Sequence, residues 1–101
     1  MAKILTNADF DSAISGAGCA LIDFYADWCG PCRMVGPVIE EIAEERADIV
    51  VGKVNVDEED ELAGQFGVFS IPTLVVMKGG KIVSQESGAK PKAQILAMLE
   101  K

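Results

Sequence analysis

Histidine is absent from this 101-residue chain. That absence alone removes Ser-His-Asp catalysis, Cys-His catalysis and every imidazole-ligated metal site. Cysteine is scarce: there are three, and only Cys29 and Cys32 lie close together in sequence. An all-cysteine zinc site needs a fourth thiol, and an odd set of three is a poor disulfide framework. The set suits a reducing compartment and a working dithiol. Long apolar runs are also missing, with none near the ~18 residues of a membrane span, so no membrane partner is expected. Positive charge is in deficit, with 9 Lys and Arg against 16 Asp and Glu and a net charge of −7. That balance disfavours nucleic acid and anionic surfaces as partners. The opening segment Met1–Asn7 lacks the apolar stretch of a secretory signal, and Asp9 and Asp11 oppose a transit peptide. A cytoplasmic protein is expected.

What is present reads as one α/β domain over residues 1–101. Half of the residues are hydrophobic, and a chain of this size buries roughly two-thirds of its unfolded surface, enough for one core. Strand and helix patterns alternate along it. Lys3 to Leu5 is a short strand, and Thr6 or Asn7 can cap a helix carrying Phe10, Ala13 and Ile14. Gly16 and Gly18 stop that helix. Ala20 to Ala26 is apolar on both faces, as a central parallel strand is, with Asp23 as its one exception. Val35, Val38, Ile39, Ile42 and Ala43 recur at helical spacing between about Pro31 and Arg46, with a kink expected at Pro37. Ile49 to Val56 completes a βαβ unit. The acidic run Asp57 to Glu61 reads as a solvated lead into a short helix with Leu62, Ala63 and Phe66 inward, ended by Gly67. Thr73 to Lys78 and Lys81 to Ser87 form a hairpin across Gly79-Gly80. A last helix follows Pro91, with Ile95, Leu96 and Leu99 facing the core.

The chemistry concentrates in Trp28-Cys29-Gly30-Pro31-Cys32. Two thiols at this spacing can exchange a disulfide with each other. Cys29 falls where a strand feeds a helix, and the positive helix end with its unpaired N–H groups favours thiolate over thiol. Only the thiolate attacks disulfides. Cys29, nearer the helix end and expected to be the more exposed, is therefore the nucleophile and Cys32 the resolving thiol. The competing reading, a zinc or iron–sulfur ligand pair, would need a dimer to supply four ligands. Asp23, an acid among apolar neighbours, should have a raised pKa and can accept the Cys32 proton, or else it is a buried acid satisfied by structural hydrogen bonds. Cys19, at the start of a buried strand, reads as a small hydrophobe.

Four motifs together resemble the thioredoxin family across essentially the whole chain. They are Asp23-Phe24-Tyr25-Ala26-Asp27-Trp28-Cys29-Gly30-Pro31-Cys32, Pro37, Ser70-Ile71-Pro72-Thr73, and Gly79-Gly80 followed by Gly88. The resemblance implies a thioredoxin fold, a central mixed sheet of about five strands flanked by about four helices. It implies a monomeric protein-disulfide reductase, a general electron donor to disulfide-containing protein substrates, itself reduced by a thioredoxin reductase. No bound cofactor is implied beyond the redox-active Cys29–Cys32 disulfide. Lys53 matches the lysine that pairs with the buried acid in this family, and Ile71-Pro72 matches a cis peptide facing the dithiol. Trp28, Gly30, Pro31, Ile71, Pro72, Gly88 and Ala89 should form an apolar substrate-binding rim around Cys29. Tyr25, Arg33 and Phe69 depart from the common family pattern, which bears on surface and partner preference. An oxidase or isomerase, or a binding subunit without redox turnover, are the alternatives; Gly-Pro between the cysteines favours the reductase.

Overall fold

The computed structural model describes residues 1–101. In chain order the elements are β1 (Lys3–Ile4), α1 (Phe10–Ile14), β2 (Cys19–Tyr25), α2 (Gly30–Glu45), β3 (Val50–Asn55), α3 (Asp60–Gln65), β4 (Thr73–Lys78), β5 (Lys81–Ser87) and α4 (Lys92–Leu99). One mixed sheet orders its strands β1-β3-β2-β4-β5. β3 runs parallel to both β1 and β2, whereas β4 is antiparallel to β2 and β5. No helix is long and apolar enough to cross a membrane.

The sheet's central position explains β2. Ala20 to Phe24 are all buried, because β3 and β4 flank the strand and side chains from both faces enter cores. On one face Leu21, Val51, Leu74 and Val76 meet Val35, Ile39 and Ile42 of α2 and Ile95, Met98 and Leu99 of α4. On the other, Ile22, Phe24, Val54 and Val75 meet Phe10 and Ile14 of α1 and Leu62 and Ala63 of α3. Met98 thus takes a core place that the pattern assigned to Leu96, which lies partly buried at the cluster edge.

Local signals fix most boundaries. Gly79 and Gly80 both have positive φ, 60° and 80°, the conformation a two-residue hairpin needs and side chains resist. Helix α2 continues unbroken through Pro37, whose ring withholds one backbone donor from the preceding turn. The start of α1 differs from expectation. Phe10 N–H donates to the Thr6 carbonyl at 2.9 Å, but the residue preceding the helix is Asp9, whose side chain caps no helix N–H; its Oδ1 accepts from Thr6 N–H at 2.7 Å. Asp9 thus closes the turn leading into the helix, and the cap expected from Thr6 or Asn7 is not formed.

Gly52 is the one glycine at which a Cβ would meet neighbouring atoms. It sits on β3 between Lys3 of β1 and Ile22 of β2, and a Cβ there would overlap Leu5 Cδ1 and stand 3.4 Å from Ile22 Cδ1. Gly52→Ala is expected to destabilise the fold by about 1–3 kcal/mol through overpacking. A urea melt should show a lower midpoint with unchanged slope; an unchanged midpoint would mean that Leu5 yields freely.

Candidate active site

The site forms where β2 ends and α2 begins. Cys29 is the N-cap of α2, with extended backbone (φ −88°, ψ 115°). Its Sγ accepts the Cys32 N–H at 3.2 Å, the place usually held by a serine or aspartate oxygen. Pro31 fits in the first turn because no backbone donor is required there. Arg33 closes the loop behind, its Nε and Nη2 donating to the Asp27 carbonyl at 3.2 and 2.9 Å. Cys29 and Cys32 form a disulfide with Cα atoms 5.2 Å apart, and Cys19 is a free thiol.

The two cysteine residues do not differ in exposure as expected. Cys29 is 4 % and Cys32 5 % exposed, since Ala26 and the partly buried Tyr25, Val56 and Ile71 pack around both. Position relative to the helix, rather than exposure, separates them. Cys29 Sγ also lies 3.8 Å from the Ile71 carbonyl oxygen, and the Ile71-Pro72 peptide is cis.

The rim residues fall into several groups. Trp28, Gly30, Pro31 and Ala89 are exposed, Ile71 and Gly88 half-buried, and Pro72 buried. Pro72 therefore offers little surface of its own; its carbonyl accepts the Gly88 N–H at 2.8 Å. Ala89 shares a hollow with Met34, Val38 and Pro91. Trp28, 68 % exposed, is pinned by its Nε1–H, which donates to Asp57 Oδ2 at 2.7 Å. Sequence reasoning missed Asp57, one acid of a run that reads as solvated. The signal lies in the register: Tyr25 pairs with Asn55, so the loops after both strands emerge side by side.

Asp23 is 1 % exposed, and neither carboxyl oxygen has a hydrogen-bond partner. Strand alternation puts it on the face of Leu21 and Tyr25, between the α2 core and the sulfur pair. Burial raises its pKa from 3.8 to about 7, against the pull of the Lys53 charge and with a push from Glu40. Lys53 stands beside Asp23 in the sheet register but does not pair with it. Its Nζ lies 3.8 Å from Glu40 Oε2 and 4.8 Å from the Tyr25 ring centroid. The expected ion pair is replaced because a half-exposed carboxylate and an aromatic face hold the ammonium at lower desolvation cost. Lys53 and Cys32 do line one hollow, with Tyr25, Ala26, Asp27, Arg33 and Gly36.

A cap sulfur bonded to a neighbour three residues on, with a protonatable acid on the strand below, is an arrangement for exchanging disulfides. Comparison with known proteins agrees. A family model described as Thioredoxin matches residues 1–101. A thioredoxin of Alicyclobacillus acidocaldarius is 54% identical over 96 residues, 94% of this chain and 91% of that one. A thioredoxin of Listeria monocytogenes is 47% identical over 102 residues, 100% of this chain and 98% of that one. The solved structure of a mutant thioredoxin from Halobacterium salinarum superposes with a TM-score of 0.91 at 37% identity, covering 97% of this chain and 87% of that chain.

Proposed function

The chain belongs to the thioredoxin family and is a thiol-disulfide oxidoreductase, and from that premise we propose a general protein-disulfide reductase in which Cys29 attacks and Cys32 resolves. The observation that carries the division of labour is the Cys32 N–H donated to Cys29 Sγ at 3.2 Å. A donor fixed on one sulfur at a helix start stabilises negative charge on that sulfur.

The cycle follows. The Cys29 thiolate attacks one sulfur of a substrate disulfide, forming a mixed disulfide and releasing the first substrate thiol. Asp23 takes the Cys32 proton, and the Cys32 thiolate attacks Cys29 Sγ. The second substrate thiol leaves, and the Cys29–Cys32 disulfide remains. Two electrons have passed to the substrate, and its two sulfurs leave as thiolates that take up protons, one from Asp23 and one from solvent. Lys53 acts at a distance, its charge tuning Asp23 through the shared sheet face. Trp28, Gly30, Pro31 and Ile71 offer apolar surface beside the sulfurs, Gly88 supports Pro72, and Ala89 extends the surface towards Met34. The Ile71 backbone is free to pair with an extended substrate segment. The protein works as a monomer in the cytoplasm, carries no bound cofactor, and is returned to the dithiol by a thioredoxin reductase.

Limited alkylation tests the assignment. Each unit by which a thiol pKa falls below ~8.5 raises its thiolate fraction at neutral pH about tenfold. The reduced protein, given less than one equivalent of iodoacetamide at pH 7, should carry the label on Cys29 over Cys32 by roughly that factor. Equal labelling, or a preference for Cys32, would reverse the roles.

A further inference from the structure

We propose that Glu40 is a positioning residue for the exchange, holding Lys53 off Asp23 so that the buried carboxyl stays basic enough to take the Cys32 proton. The inference rests on the reading of Asp23 as that proton's acceptor.

The geometry begins with the sheet. Asp23 and Lys53 are register partners on parallel strands, so their side chains emerge on one face about 5 Å apart. A lysine so placed would ordinarily close on its neighbour. Here its ammonium turns instead to Glu40 Oε2, 3.8 Å away, and to the Tyr25 ring. Both Asp23 oxygens remain without a partner. Glu40 is itself anchored, because its Oε1 accepts the Ala2 N–H at 2.8 Å. The carboxylate that keeps the ammonium is thus half-exposed and hydrogen-bonded, and the one deprived of it is buried.

Few other charges reach Asp23. β3 contributes Lys53, and β4 contributes the apolar Leu74. On the same face α2 contributes Glu40, with Cys32 at its first turn, while the Arg33 guanidinium is turned to the Asp27 carbonyl. α4 presents Ile95, Met98 and Leu99. On its own strand the neighbour is Tyr25. With so few groups present, the choice Lys53 makes between two carboxylates adjusts the proton affinity that burial has raised in the buried one.

Glu40→Gln removes the competing charge while keeping an acceptor for Ala2 N–H. Lys53 is then free to close on Asp23, and the proton leaves more readily. Carbon-detected carboxyl titration of the oxidised protein should show the Asp23 midpoint falling by about one pH unit, a tenfold loss of proton affinity. The pH profile of mixed-disulfide resolution should move down with it, and its plateau should drop, because a weaker base takes the proton less readily. In a Lys53→Met background the same Glu40→Gln change should move the midpoint much less, since the lysine carries the effect. An unmoved midpoint in folded Glu40→Gln overturns the proposal while leaving Asp23 its role. A midpoint that moves with no change in the resolution profile removes Asp23 from the proton transfer, and the proposal falls with it.

Discussion

Cys32→Ser should turn the protein into a trap for its own substrates, whereas Cys29→Ser should abolish insulin-disulfide reduction outright. The two losses differ because the hydrogen bond that favours the Cys29 thiolate comes from the backbone of residue 32, which serine leaves in place. The first attack therefore survives in Cys32→Ser. The second cannot occur, since a hydroxyl does not break a disulfide at neutral pH, and one protein molecule stays joined to one substrate. Non-reducing electrophoresis should show that adduct in near-stoichiometric amount, released by dithiothreitol. Cys29→Ser should give no adduct, because the remaining thiol of Cys32 lies in the helix without the N-cap hydrogen bond. Insulin reduction surviving in Cys29→Ser, or continued turnover by Cys32→Ser, would contradict the proposed roles.

Asp23→Asn should stabilise the fold and slow resolution together, with a pH dependence that identifies the cause. The folded Asp23 carboxyl titrates at about 7 and an ordinary one at 3.8. Between those values the native state keeps a proton that the unfolded state gives up. Stability therefore declines as pH rises through that window and levels off above it. At 1.36 kcal/mol per unit, the full cost at pH 8 is about 4 kcal/mol. Asparagine carries no charge at either pH and escapes it. Urea unfolding of the oxidised proteins should show Asp23→Asn more stable by about that amount at pH 8, with the two converging near pH 4. Resolution should slow at the same time, since the Cys32 proton has lost its acceptor. A stability gap independent of pH would show that packing, not the buried charge, separates the two proteins.

Elements set by local chemistry are legible in the sequence. The β4–β5 hairpin falls at the expected residues because Gly79-Gly80 admits one kind of turn, and α2 follows from its apolar period despite Pro37. Asp23 stood out for a similar reason, as an acid in the middle of an otherwise buried strand. What escaped depends on where long side chains end. Lys53 has Asp23, Glu40 and Tyr25 within reach of one flexible stem, and no pattern in the chain ranks those three. Asp57 belongs to Trp28 only once β2 and β3 are paired in register. The similar burial of the two cysteine residues likewise depends on Ile71 and Val56, which arrive from distant parts of the chain. Local periodicity carries the elements, and tertiary placement carries the electrostatics of the site.

The scarcity of aromatic residues gives the Trp28–Asp57 hydrogen bond a further meaning. This chain has a single tryptophan, and it stands exposed in the loop beside Cys29. Its light emission therefore comes from one address, the sulfur-bearing corner, and carries little information about the two cores. Tryptophan emission from this protein reads the state of its working end.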